Sequence, residues 1–303
     1  MEKINLGNSG ILASRVILGN MRINQMSKKE VLELINAAVA NGINMFDHAD
    51  IYGGGVCEEL YSGLIAPSLR EKVIIQTKCG IRKGYYDFSK EHILGSVDGS
   101  LKRLQMEYID ILLLHRPDAL MEPEEVAEAF NKLSNSGKVR AFGVSNFNST
   151  QIELLQRACN QKLIVNQMQF GPAHTPMIDR GINVNTMDPR ACDRDGGILD
   201  YCQLKNMTMQ TWSPFQYGAF EGLFIHSPKY EKLNEVIDRL AQQYGVTNSA
   251  IVTAWILRHP AKMQMIAGTT SVARIKEMAD GANIRLTREE WYEIYRAAGN
   301  PIP

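Results

Sequence analysis

The stretch YIDILLLH, residues 108–115, is a short apolar run that stops at a histidine. After it comes a segment in which Val126, Phe130 and Leu133 fall on one helical face. A strand leading into a helix is the repeating unit of a parallel sheet. The same alternation fills the rest of the chain. The other candidate strands are RVILG (15–19), MFDHA (45–49), VIIQTKCG (73–80), VRAFGVSN (139–146), LIVNQMQF (163–170), MTMQTWS (207–213) and MQMIAGT (263–269), which makes eight. Between them Val31, Leu34, Ile35 and Ala38 form one apolar helical stripe, Ile93, Val97, Leu101 and Leu104 another, and Ile275, Met278, Ala279 and Ala282 a third. Eight strand–helix units with no linker or low-complexity stretch predict one α/β domain over residues 1–303. That domain is a (β/α)8 TIM barrel in preference to an open doubly wound sheet.

Three segments exceed the minimal repeat. INLGNSGI (4–11) carries an N-S-G turn between apolar residues and predicts an N-terminal hairpin. KYEKLNEVIDRLAQQYG (229–245) and TREEWYEIYRAAG (287–299) predict extra helices toward the C-terminus, the second opened by a capping box of Thr287 and Glu290. Two long loops, 171–197 after the sixth strand and 215–228 after the seventh, are candidate substrate loops, because loops that follow barrel strands sit on the face where active sites form.

Composition narrows the partners. The 33 basic and 33 acidic residues of the 303-residue chain cancel without long runs of one sign, so neither nucleic acid nor an anionic membrane is an expected partner. The five cysteines are scattered and contain no C-x-x-C pair, which fits a reducing cytoplasm better than a disulfide framework or a zinc site. The N-terminus has no secretory pattern, and no apolar run is long enough to span a bilayer.

Chemistry collects where the strands end. Asp47, His48 and Asp50 follow the second strand, Lys78 lies in the third, His115 ends the fourth, and Ser145 and Asn146 end the fifth. In a barrel all these ends converge on one mouth. A lysine inside VIIQTKCG and an aspartate inside MFDHA are each costly to bury alone, and neighbouring strands let them pair. Tyr52, five residues beyond Asp47, then stands at the rim; a nearby ammonium is expected to lower its pKa and suit it to proton transfer. His48 and Asp50 beside His115 raise the question of a metal, yet no H-x-H or H-E-x-x-H pattern accompanies them, and none is expected. Strand alternation points Cys79 away from Lys78. The aromatic GYYDF (84–88) and the triplet Asn20, Met21 and Arg22 are open candidates for the pocket lining.

FDHADIYGGG, IIQTKCG, IDILLLHRPD, AFGVSNF and VNQMQF, in this order and spacing, resemble the ordered motifs of the aldo-keto reductase superfamily, in particular its bacterial branch of NADPH-dependent oxidoreductases. The likeness runs from about Ile4 to the last helix. It implies hydride transfer from NADPH to a small aldehyde or ketone, with a catalytic tetrad at Asp47, Tyr52, Lys78 and His115. In that scheme Tyr52 gives the proton, Lys78 tunes it, Asp47 holds Lys78, and His115 orients the carbonyl. The resemblance further implies that Ser145, Asn146 and Gln167 bind the nicotinamide carboxamide, that Trp212 stacks on the ring, and that Ser213 lies toward the pyrophosphate. Gly268, Thr269, Arg274 and Glu277 fall in the region that binds the adenosine end. Many members carry Lys-Ser where Gly268 and Thr269 stand, and Asn where Met278 stands, which leaves recognition of a 2′-phosphate mainly to Arg274. The rival reading is a cofactor-binding redox sensor or regulatory subunit on the same fold, with little turnover. The complete tetrad weighs against it.

Overall fold

The computed structural model describes residues 1–303 apart from 219, 301 and 303. All eight expected strands form: β1 (Val16–Gly19), β2 (Met45–Asp47), β3 (Ile74–Cys79), β4 (Ile109–Leu114), β5 (Val139–Ser145), β6 (Leu163–Gln169), β7 (Thr208–Trp212) and β8 (Gln264–Ala267). Each pairs in parallel with the next, and β8 pairs with β1, with Ile17 opposite Ile266, so the sheet closes into a barrel.

Closure follows from strands that are apolar on both faces, as parallel strands covered by helices must be. In β4, Ile111 and Leu113 point into the barrel while Leu112 and Leu114 point out at the helices. Burying each outward leucine stabilises the fold by roughly 2 kcal/mol, and truncating one to alanine costs about 2–5 kcal/mol. The outer ring includes helices Lys28–Ala40, Lys90–Leu104, Pro123–Asn135, Ser149–Ala158 and Val272–Gly281. Their buried stripes are those of the sequence, except that Leu101 and Ala282 are only half-buried.

The N-terminal hairpin pairs Lys3–Asn5 with Leu12–Ser14 and plugs the bottom of the barrel with Ile4, Leu6 and Ala13. At its tip Gly7 takes φ 54° and donates its N–H to Thr208 Oγ1 at 3.0 Å; a Cβ there would stand 2.6 Å from Ile164 Cβ. Only glycine meets both demands. The extra helices are Glu231–Tyr244 and Arg288–Ala297, the latter opened by the Thr287–Glu290 capping box. The last helix is fastened by Trp255 and Trp291, whose rings stack at 4.9 Å and whose indole N–H groups each donate to the other's carbonyl at 3.0 Å.

Candidate active site

With the bottom plugged, the strand C-termini open on a cavity of about 1080 Å3. Period two along β3 sends Gln76 and Lys78 inward and Ile75, Thr77 and Cys79 outward, where Thr77 Oγ1 donates to Glu58 at 2.6 Å and Cys79 joins the outer core. Lys78 is fully buried. Its ammonium donates to Asp47 Oδ2 at 2.7 Å, to the His48 carbonyl at 2.7 Å and to Tyr52 Oη at 3.1 Å. These three oxygens use all three of its N–H donors, so the buried charge is fully satisfied.

Tyr52 reaches this point because the chain leaves β2 through His48 and Asp50 and turns tightly at Gly53, Gly54 and Gly55. All three glycines have positive φ, and a Cβ on Gly55 would stand 2.9 Å from Arg103 Cδ. His115 closes the set, its ring 5.9 Å from that of Tyr52 at 79°.

The electrostatics divide the roles. Burial acts to lower the Lys78 pKa, but Asp47 and Tyr52 outweigh it and the net shift is upward, so the ammonium stays charged. Burial also raises the Tyr52 phenol, against the pull of Lys78. The expected lowering is therefore reversed. Desolvation of the phenolate exceeds the attraction of a cation whose charge is already shared with Asp47, and Tyr52 is a neutral, protonated acid. Burial, then the charges of Lys78 and Arg116, hold His115 well below the usual histidine range. It is a neutral imidazole.

His48 and Asp50 take supporting parts. His48 is buried against Tyr61, 4.3 Å between rings, and its Nε2 meets Asn20 Nδ2 at 3.2 Å. Burial pushes its pKa down to about 3. Asp50 turns into a separate small cavity with Arg103 and His92, where burial and Glu58 raise its carboxyl to about 6. Among the described residues no three His, Cys, Asp or Glu side chains converge as a metal set.

Every other proposed site residue borders the large cavity, and Lys78 alone lies behind its wall. Ser145, Asn146 and Gln167 form one cluster: Asn146 Nδ2 donates to Ser145 Oγ at 2.8 Å, and Ser145 Oγ donates to the Gln167 carbonyl at 3.0 Å. Asn146 takes φ 62°, and its Oδ1 accepts from Trp212 Nε1 at 3.1 Å. Gln167 spends its amide N–H2 on Asp47 and Gln210, which leaves Oε1 without a donor among the described residues. Trp212 has Phe220 stacked on it at 5.6 Å and the Arg116 guanidinium 5.4 Å from its ring centre. Ser213, Gly268, Thr269, Arg274 and Glu277 also line the cavity, and no carboxylate among the described residues pairs with Arg274.

The two long loops part company. The 215–228 segment supplies Phe215, Gln216, Phe220, Leu223, Ile225 and His226 to the cavity; its residue 219 lies outside the described residues. The 171–197 segment supplies none. It folds down as helices Pro176–Ile182 and Pro189–Ala191, buries Met177 and Ile178, and accepts the Tyr295 hydroxyl on Asp179 at 2.7 Å. GYYDF likewise leaves the cavity. Its two tyrosines are exposed on a small hairpin, and Phe88 packs against Gly80. Asn20, Met21 and Arg22 do line the mouth. The sequence reading missed Gln76, Gln210 and Gln264, which extend the polar floor beneath Asp47; Gln76, two residues before Lys78, was detectable from strand alternation alone.

Comparison with known proteins agrees with this geometry. Residues 15–298 match the model of the aldo/keto reductase family. The chain is 36% identical to the uncharacterized oxidoreductase YcsN of Bacillus subtilis, over 100% of both chains. It is 34% identical to a 6-dehydroglucose reductase of Agrobacterium fabrum, over 98% of each. Among solved structures, an aldo-keto reductase from Klebsiella pneumoniae in complex with NADPH superposes with a TM-score of 0.76 at 26% identity, covering 100% of this chain and 96% of that one. A barrel closed by these strands, with this mouth and these relatives over its whole length, belongs to the aldo/keto reductase family.

Proposed function

We propose that this chain reduces the carbonyl of a small aldehyde or ketone with NADPH, Tyr52 delivering the proton. The observation that carries the reading is the position of the Lys78 ammonium, 2.7 Å from Asp47 and 3.1 Å from the Tyr52 hydroxyl at the floor of the cavity. When bound, a reduced nicotinamide supplies the hydride. The site suits such a group. Its volume is large enough for a dinucleotide with a small substrate, Gln167 Oε1 is an open acceptor for carboxamide N–H, and Arg274 is an uncommitted cation for a 2′-phosphate.

The chain's own residues then have distinct tasks. The neutral Tyr52 hydroxyl gives its proton to the carbonyl oxygen as that oxygen gains negative charge. The ammonium 3.1 Å away stabilises the phenolate left behind, and Asp47 keeps that ammonium in place. A neutral His115 donates an N–H to the same oxygen without adding a charge that would compete for the proton. Phe220, Leu223 and Ile225 make the wall apolar and exclude water from the reacting atoms.

The test is NADPH consumption over a panel of aldehydes and ketones, run in parallel with NADH. NADPH-dependent turnover with at least one small aldehyde is the expected result. Tight NADPH binding with no reduction of any carbonyl in the panel would replace this reading with that of a cofactor-binding sensor.

A further inference from the structure

We infer that Gln76 and Gln210 are positioning residues for the proton transfer, holding Asp47 as the oriented anion beneath Lys78 through a chain of amides that crosses the barrel floor. This rests on the assignment of Tyr52, Lys78 and Asp47 given above. Gln76 lies on β3, Gln210 on β7 and Gln264 on β8, and all three are fully buried. Gln264 Nε2 donates to the Ser14 carbonyl at 2.6 Å, and Gln210 Nε2 donates to Gln264 Oε1 at 3.0 Å. Gln76 and Gln210 bond reciprocally, at 2.9 and 3.2 Å. Gln76 Nε2 then donates to Asp47 Oδ1 at 2.6 Å, and Gln167 Nε2 reaches the same oxygen at 3.2 Å.

The direction of these bonds is fixed by chemistry. Both ends of the chain, the Ser14 carbonyl and the Asp47 carboxylate, can only accept, so the terminal amides must each present nitrogen outward. Gln210 Oε1 in turn accepts from Gln76 and Gln167, which locks the middle amide as well. Asp47 therefore meets two N–H groups on Oδ1 and an ammonium on Oδ2. A protonated carboxyl would find no acceptor among these partners and would leave its own O–H unsatisfied. Barrel interiors are ordinarily filled by branched apolar side chains, as this one is beside the amides at Ile17, Ile111 and Leu113. Replacing that packing by amides directly under the carboxylate is explained if the amides fix its charge and direction. Lys78, Tyr52, His48 and His115 are the other titratable groups around this point, and among the described residues no side-chain amide of the chain hydrogen-bonds to any of them.

A packing role and a positioning role separate on pH. An N–H donor to a carboxylate favours its ionised form, and removing the donor favours the protonated form. In Gln76→Met the acid limb of kcat should therefore move upward by about one pH unit, with a smaller move in Gln210→Met, while the Kd for NADPH stays within about twofold of wild type. Without cofactor, the urea-unfolding deficit of Gln76→Met relative to wild type should be full at neutral pH and shrink as the pH falls and carboxylates take up protons. A pure packing defect is the same at every pH. Unchanged acid limbs in both variants, with a stability deficit independent of pH, would overturn the inference. Should Gln76→Met fail to fold, Gln210→Met, one amide farther from Asp47, gives the same two readings. If wild type reduces no carbonyl at all, the proposed activity fails, and the pH dependence of the unfolding deficit still decides whether the amides hold the anion.

Discussion

Replacing Lys78 by methionine keeps most of the side-chain volume and removes the charge. The structure sets the size of the effect. Three bonds vanish, to Asp47 at 2.7 Å, the His48 carbonyl at 2.7 Å and Tyr52 at 3.1 Å, the first two fully buried and the third partly buried at the cavity wall. Breaking a buried ion pair from one side costs about 3–5 kcal/mol, because the other charge is stranded. Asp47 still receives N–H groups from Gln76 and Gln167, so the low end applies, about 3 kcal/mol, or roughly 5 °C in Tm. The chemical step suffers separately. Burial already raises the Tyr52 phenol, and without Lys78 nothing offsets it, so kcat should fall by about 10²- to 10⁴-fold. Urea unfolding reads the first effect, single-turnover oxidation of NADPH the second, and titration of protein fluorescence with NADPH shows whether cofactor affinity is retained. Adding Asp47→Asn to Lys78→Met should cost much less than the sum of the two single changes, since the double variant strands no charge. Strictly additive losses, each below about 1 kcal/mol, together with wild-type turnover would refute the coupling on which the site is built.

Three further outcomes follow from other parts of the molecule. His48, with its pKa pushed down to about 3 from 6.5, is neutral in the fold, so the unfolded chain binds the extra proton between those values. Stability must then fall as the pH drops through that window, by an amount on the order of 4 kcal/mol, and urea midpoints at pH 7, 5.5 and 4 should show it in wild type but not in His48→Asn. Asp50, raised to about 6, contributes the opposite slope between pH 4 and 6, so the net loss there is smaller. Arg274→Ala should raise the KM for NADPH about 10- to 100-fold while leaving that for NADH unchanged, as measured by steady-state kinetics with both cofactors. Tyr295→Phe removes the 2.7 Å donor to Asp179 and should cost about 1–3 kcal/mol in urea unfolding without altering kcat, because the 171–197 segment it anchors does not border the cavity.

The barrel was legible because its signal is carried eight times. Each strand ends within a few residues of where its apolar run ends, and the polar residues at those ends converge because parallel closure leaves them nowhere else to go. Asp47, Tyr52, Lys78 and His115 could be nominated from strand position and residue type. The direction of the Tyr52 shift could not, since it depends on how far burial outweighs one ammonium, and burial is a property of the assembled mouth. Loops were the weakest ground. Segments 171–197 and 215–228 both follow barrel strands, and long-range contacts such as that of Asp179 with Tyr295, 116 residues apart in sequence, together with the burial of Met177 and Ile178, hold the first away from the cavity. The amide floor was overlooked for a different reason. Glutamine in a strand carries no charge to attract notice, and the partnership of Gln76, Gln210 and Gln264 exists only across three separate strands.

The most direct measurement of the central claim compares wild type with Tyr52→Phe, titrating each with NADPH by fluorescence and then following reduction of one accepted aldehyde in a single turnover. Removing only the hydroxyl oxygen leaves the ring packed against His115 and the cavity intact. Unchanged NADPH affinity with turnover reduced by at least about 10²-fold is the expected result. Equal turnover in the two proteins would contradict the assignment of Tyr52 as the proton donor.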